Sequence, residues 1–452
     1  MASTIVSRTQ SGSESAAGRR TWTFSCWFKR CGISSSQELF GSDSNGARSN
    51  NYNIIDLNAS DQIDFSGYES GTTFRKTTNR KFRDTNSWYH LVIAFDTTQS
   101  TADDRIKIYI NGVRETSFNT STNPSQDHQG KFFASNKIHA FGRSSQTFDG
   151  VISHCHATEG TAYAPTVFGS TDATTGEWKI NTSPSVSYGT NGFFLFKDNN
   201  SVNNQAGNSS GNFTVSAGTL TKTEDCPSNV FATFNPLYRS SNTANFYNGN
   251  TRVTGTDYTN QRTGGTLASN SGKFYFEAKA VGSTDFGGST VGIYNYDGTN
   301  IIMNSNTWFG SSSDYIGFYC SSNLLKVITN GSHDNHGSVS VGDIIGCAFD
   351  IDNGYLYLSI NGTWVNSGVP TSGSTGTGNV NRTGSHNYDF SGLLMGIAGG
   401  FQVTDAWQCN FGNGYFSTTA VSSAGTNASG NGIFEYDVPT GYTALSTKGL
   451  NL

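Results

Sequence analysis

Trp88-Tyr89-His90-Leu91-Val92-Ile93-Ala94-Phe95-Asp96, then a polar gap, then Ile106-Lys107-Ile108-Tyr109-Ile110-Asn111-Gly112: this stretch decides the fold. A second copy of its design follows far down the chain. There Gly342-Asp343-Ile344-Ile345-Gly346-Cys347-Ala348-Phe349-Asp350 leads, after a shorter gap, to Tyr355-Leu356-Tyr357-Leu358-Ser359-Ile360-Asn361-Gly362. Each copy reads as a strand ending in Ala-Phe-Asp, a second strand, and an Asn-Gly turn. Asn-Gly next to apolar-rich β segments is a strong hairpin signal, because both residues tolerate positive φ. Two copies predict two β-sandwich domains of related design, which points to a binding protein before any catalytic residue is sought.

The rest of the 452 residues agrees with that reading. Charged residues make up 13%, against about 25% in typical soluble domains, and aromatics another 13%, with 31 Phe and 20 Tyr. Gly stands at 53 and Pro at 7. Aromatic strands joined by Gly, Asn and Ser turns make a sheet protein, and low charge with many aromatics is the reverse of disorder. The net charge of −5 and the lack of long Lys/Arg runs argue against nucleic acid as a partner. No apolar run of membrane-spanning length occurs. The N-terminus lacks the basic and apolar regions of a secretory signal, so accumulation in the cytoplasm where the chain is made is expected. The cysteines Cys26, Cys31, Cys155, Cys226, Cys320, Cys347 and Cys409 are scattered, without a CxxC pair, and read as small buried hydrophobes.

Along the chain, residues 1–20 are polar and Ser-rich and read as an irregular lead-in. Residues 21–215 carry the first set of strands and a connector. In Thr21–Lys29 the alternation puts Trp22, Phe24, Cys26 and Phe28 on one face. Residues 216–416 form the second module, opening near Cys226-Pro227. Residues 417–452 form a tail read equally well as packing back on the body or as docking a neighbour. Strands every 8–12 residues with turns between them predict sandwiches.

The first module resembles the laminin-G-like, concanavalin-A-like family through Trp22–Lys29, Trp88-Tyr89-His90-Leu91-Val92 and Ile108-Tyr109-Ile110-Asn111-Gly112. The second resembles SPRY domains through Lys273-Phe274-Tyr275-Phe276-Glu277 and Gly342–Asp350. The resemblance implies an all-β chain of two concanavalin-A-like jelly-roll sandwiches. A laminin-G-like module, then a stretch like Asn229-Val230-Phe231-Ala232-Thr233-Phe234-Asn235-Pro236-Leu237, then a SPRY-like module is similar to virion proteins of tailed bacteriophages. That implies a tail fibre, head fibre or other exterior appendage, made in the host cytoplasm. Its expected partners are other virion proteins and a host-surface glycan, with a homotrimer the usual build of such appendages. A bacterial surface carbohydrate-binding adhesin and a glycan depolymerase are the alternatives.

Candidate site residues follow from chemistry. Glycan hydrolysis needs a pair of carboxylates, and Glu277, Glu38, Glu115 and Glu177 have no acidic partner at the required spacing, so no catalytic residue is expected. The laminin-G-like resemblance implies a Ca²⁺ ion at the sandwich rim, and Asp96, Asp103 and Asp104, which share one loop, are its candidate ligands, set against their ordinary use in shaping turns. Asp350, Asp352 and Asn353 form a similar cluster that reads as a hairpin turn. His154-Cys155-His156 would place two imidazoles on one strand face without further ligands, and His333–His336 reads as a polar turn. For saccharide binding, Tyr294, Tyr296, Trp308 and Tyr388 lie among Asn, Ser and Asp. The Tyr294–Trp308 loop matches the position of a SPRY-like variable loop.

Overall fold

In the computed structural model, the described residues are 4–43, 50–143, 145–197, 201–240, 244–255, 261–281, 289–297, 313–382, 387–401 and 407–451. The chain divides into two units, Met1–Lys222 and Thr223–Leu452.

In the first unit an eight-stranded sheet runs, in spatial order, Phe118–Thr122, Thr72–Thr78, Ile63–Tyr68, Tyr52–Leu57, Gln37–Asp43, Ile138–Phe141, Ile5–Thr9 and Thr214–Ala217. A six-stranded sheet runs Phe193–Leu195, Gly150–Glu159, Thr21–Arg30, Trp88–Asp96, Ile106–Ile110 and Val113–Arg114. Their inner faces share one core. Trp22, Phe24, Cys26 and Phe28 enter it from one strand and Leu91, Ile93 and Phe95 from its neighbour, as strict alternation requires. The lead-in departs from the expected irregular segment. Ile5–Thr9 is a strand between Ile138–Phe141 and Thr214–Ala217. Val6 fills the core and Arg8 is buried, its guanidinium donating to the carbonyl oxygens of Ser210 and Asn191. Five residues with one apolar anchor give too little periodicity to read.

The second unit repeats the plan. A seven-stranded sheet runs Phe234–Arg239, Gln261–Ser269, Met395–Phe401, Thr290–Asn295, Tyr315–Ser321, Leu324–Thr329 and Ser332–Ser338. The facing sheet runs Asn245–Tyr247, Arg252–Thr254, Trp407–Asn410, Lys273–Ala280, Ile344–Asp350, Tyr355–Ile360 and Thr363–Trp364, and Thr443–Ala444 adds parallel to Lys273–Ala280. His333 and His336 therefore lie on an edge strand, not in a turn. Asn330 and Gly331, both at positive φ, fold that strand back on Leu324–Thr329.

The repeated sequence pattern has one physical meaning in both units. Asn111 and Gly112 have φ of 48° and 79°, and Asn361 and Gly362 have φ of 49° and 79°. Asn111 Oδ1 accepts the backbone N–H of His90 at 2.8 Å, while its own N–H donates to the His90 carbonyl at 2.9 Å. Asn361 does the same to Ile344, at 2.9 Å for both bonds. One asparagine thus turns the chain and satisfies both backbone polar groups of a residue near the start of the neighbouring strand.

The tail packs back on its own unit. Phe434, Val438, Tyr442 and Ala444 form a cluster with Tyr275, Ala348, Tyr357 and Phe231. Ala232 donates to Leu445, Thr447 donates to Val230, and Phe231 bridges Ser446. The start of the Asn229–Leu237 stretch, Asn229 to Ala232, is therefore the seam that holds the C-terminal segment.

Replacing Asn111 or Asn361 by Ala leaves a strand N–H unsatisfied, which costs about 1–3 kcal/mol. In calorimetry of the full chain, Asn111→Ala is expected to lower the transition of one unit and Asn361→Ala that of the other. An unchanged thermogram for either variant contradicts the assignment.

Candidate functional site

The tyrosines singled out in the sequence sit on the seven-stranded sheet. Val291, Ile293, Ile316 and Phe318 point into the core, so Tyr294, Tyr315 and Tyr319 emerge on the opposite face. There Tyr294 is buried at 1% exposure in a cluster with Tyr315, Tyr319, Ile328 and Ala398, with Tyr238 and Tyr296 packed against it. Tyr296 lies edge-on to Tyr294 at 5.7 Å and stacked on Tyr238 at 5.5 Å. Its hydroxyl donates to the Gly265 carbonyl at 3.0 Å. Tyr388 is half-buried against the core, beside Phe390 at 6.2 Å. Burial holds the Tyr294, Tyr296 and Tyr388 phenols well above the usual tyrosine range. Tyr294 and Tyr296 are thus brought together and Tyr388 belongs to a second group. Trp308 lies outside the described residues.

The room for these rings comes from glycine. A Cβ on Gly264 would run into Tyr238, one on Gly396 into Tyr296, and one on Gly317 into Tyr315. Aromatic rings lie flat where the sheet carries no side chain.

The three aspartates of the first unit are each engaged by other groups. Asp96 Oδ1 accepts the Thr98 hydroxyl at 2.6 Å and Oδ2 the Gln99 amide at 2.6 Å. Asp103 accepts the Asn123 amide at 2.7 Å and faces Lys76 at 3.6 Å, while Asp104 pairs with Lys107 at 3.3 Å and Arg114 at 3.4 Å. Among the described residues no group of three His, Cys, Asp or Glu side chains is arranged to hold a metal ion.

In the His154–His156 segment a bulge separates the two imidazoles. His154 has φ of 45° at the register shift, Cys155 enters the core, and His156 stacks on Phe194 at 4.0 Å while its Nδ1 meets the Tyr188 hydroxyl at 2.8 Å. His90 was not singled out by sequence, yet it is the better-defined imidazole. The Trp178 indole N–H, which can only donate, meets Nδ1 at 2.8 Å, so Nε2 carries the proton and donates to Ser25 Oγ at 2.9 Å. Trp27 stacks on the ring at 4.7 Å. Burial depresses the His90 pKa to about 3. Trp178 stands on the small hairpin Gly169–Thr171 and Trp178–Ile180, and its ring covers Gly112 of the Asn-Gly turn.

Glu277, the one acidic residue of its strand, is a polar centre of the second unit. It is fully buried. Its Oε2 accepts the Glu435 N–H and its Oε1 the Tyr436 N–H, both at 2.9 Å. The Tyr275 hydroxyl at 3.2 Å and the Asn410 amide at 3.3 Å add two more donors. Burial pushes its carboxyl up to about 7, against the pull of those donors. The tail chain it holds places the Tyr436 ring over Gly362.

Residues 7–167 match the concanavalin A-like lectin/glucanases superfamily in its laminin-G form. No curated protein matches the chain. The chain is similar to the SPRY domain of human HERC1, with 15% identity over 39% of this chain and 94% of that one at a TM-score of 0.28. It is also similar to the TRIM65 PSpry domain, with 14% identity over 39% and 89% at 0.27. For mouse laminin α1 domains LG4-5 the figures are 10% identity over 88% and 84% at 0.26. At these scores the fold assignment rests on the sheets themselves.

The two buried groups predict opposite pH responses. Glu277 is raised in the folded state from 4.5 to about 7, so its contribution is full below 4.5 and is lost as pH rises through 7. The span is worth roughly 3 kcal/mol. His90 is depressed from 6.5 to about 3, so its contribution is full above 6.5 and is lost as pH falls toward 3. Calorimetry from pH 4.5 to 8 is expected to show the second unit's transition fall with rising pH in the wild type and stay flat in Glu277→Gln. Equal slopes for both proteins contradict the role given to Glu277.

Proposed function

We propose that this chain is a non-enzymatic structural and adhesive protein of a tailed-phage virion, a tail fibre or other exterior appendage that binds a host-surface glycan or another virion protein. The observation that carries this reading is how the buried polar groups of both sandwiches are used. His90, Glu277 and the asparagine clasps bind the protein to itself, which makes rigid scaffolds and leaves recognition to rims and loops. The match of residues 7–167 to a lectin and glucanase superfamily supports glycan as a ligand class. The order of a laminin-G-like module, the Asn229–Leu237 stretch and a SPRY-like module supports the virion setting. Tyr296 and Tyr388, both only partly buried, are the proposed recognition residues of the second unit, and a Ca²⁺ ion at Asp96, Asp103 and Asp104 would require Lys107 and Arg114 to swing away from Asp104.

Mass spectrometry of gradient-purified particles tests the setting. The protein is expected among the particle components, in more than trace amount. Its absence from intact particles overturns the virion reading.

A further inference from the structure

The second unit contains a cleft of about 400 Å³ that the tail completes. One wall is the start of the Lys273–Ala280 strand, with Lys273 and Phe274, and the turn that carries Asp352. The other wall is the tail, with Ser429, Tyr442 and Thr443. Both walls are fixed. Thr443 is in parallel register with Phe274, its hydroxyl accepts the Asn431 amide at 2.8 Å, and the Tyr442 hydroxyl donates to the Pro370 carbonyl at 3.0 Å. The site is therefore preformed, as small-ligand sites usually are.

Its chemistry is mixed and nearly neutral. The Lys273 ammonium pairs with buried Asp350 at 2.9 Å and lies 5.9 Å from the centre of the Tyr442 ring. An ammonium has three donors, so Lys273 keeps donors for a ligand while its charge is already met. Asp352 Oδ1 accepts the Gly272 N–H at 2.7 Å, which orients the carboxylate and leaves Oδ2 as an acceptor at an exposed position. Ser429 Oγ donates to Asn427 Oδ1 at 2.7 Å and accepts the Asn431 N–H at 3.3 Å, so one lone pair remains for a ligand. Phe274 and Tyr442 supply the apolar floor. An anion would meet Asp352 and a lysine already neutralised. Among the described residues no group of three His, Cys, Asp or Glu side chains is arranged to hold a metal ion here. Asp350 is held by Lys273 and by the Asn353 side chain at 2.8 Å, so the carboxylate pair that glycoside hydrolysis needs is not offered. Vicinal hydroxyls suit what remains: a carboxylate that accepts from two of them, an ammonium and a serine that serve a third, and an apolar floor for the ring's C–H face.

We propose that this tail-completed cleft binds a neutral saccharide of one or two rings. The proposal rests on the reading of the chain as a glycan-binding protein and gives that reading a location. A cleft of this volume holds roughly one or two hexose rings.

The test is saturation-transfer NMR and calorimetric titration of the full chain. The probes are methyl glucoside, methyl galactoside, methyl N-acetylglucosaminide, lactose and cellobiose. The wild type is expected to bind at least one of them. Ser429→Trp fills the cleft from an accessible turn, and Asp352→Ala removes the acceptor. Each is expected to weaken binding by about tenfold or more with the melting temperature of the second unit retained. Undiminished binding by Ser429→Trp overturns the proposal. If Tyr388→Ala loses binding while Ser429→Trp keeps it, the cleft falls and the glycan-binding reading stands on Tyr388. If the wild type binds none of the probes, the cleft proposal falls, and particle mass spectrometry still decides the virion reading.

Discussion

Each sandwich depends on one asparagine side chain. Asn111 and Asn361 sit at positive φ in tight turns and clasp both the N–H and the carbonyl of a residue near the start of the neighbouring strand, His90 in Trp88–Asp96 and Ile344 in Ile344–Asp350. The clasp sets the register of the central hairpin, and that register decides which side chains face the core. The glycine after each asparagine then serves a second purpose. Lacking a side chain, Gly112 accepts the Trp178 ring and Gly362 the Tyr436 ring. In both units the hairpin turn is thus where a later segment lands: the Gly169–Ile180 hairpin in the first and the tail in the second.

From that landing point the buried polar chemistry follows. Trp178 over Gly112 brings its indole N–H to His90, which sets the tautomer and keeps the imidazole neutral. Tyr436 over Gly362 brings two tail N–H groups to Glu277. A polar group buried without partners would cost several kcal/mol, and in both units the capping segment supplies the partners. This fits a chain rich in Gly and aromatics: rings lie on glycines, and His90 and Glu277 fasten caps to sheets.

Much of the architecture was legible in the sequence. The two Asn-Gly hairpins, the alternation of Trp22, Phe24, Cys26 and Phe28, and the all-β class rest on local periodicity, which a single chain displays directly. The Ile5–Thr9 strand was not legible, because its partners come from Ile138–Phe141 and Thr214–Ala217, far along the chain. The Ser332–Ser338 edge strand was hidden by its polar composition, since an edge needs no apolar alternation. For the sites the division is sharper. Tyr294 was chosen for its polar neighbours in sequence, yet it lies beneath other tyrosines. Glu277 stood alone in the sequence because its partners are backbone N–H groups, which every residue carries and no motif reveals. An Asn-Gly turn announces itself, whereas the ring that covers its glycine comes from anywhere in the chain.

The central claim, that each Asn-Gly turn is the seat of a capping segment, is tested most directly by amide hydrogen exchange on the full chain carrying Gly362→Ala. A methyl at this position meets the Tyr436 ring and a φ that disfavours it. The account predicts faster exchange at the Glu435 and Tyr436 amides, which Glu277 holds, with the amides around His90 and Asn111 unchanged. Full protection of Glu435 and Tyr436 in this variant would contradict it.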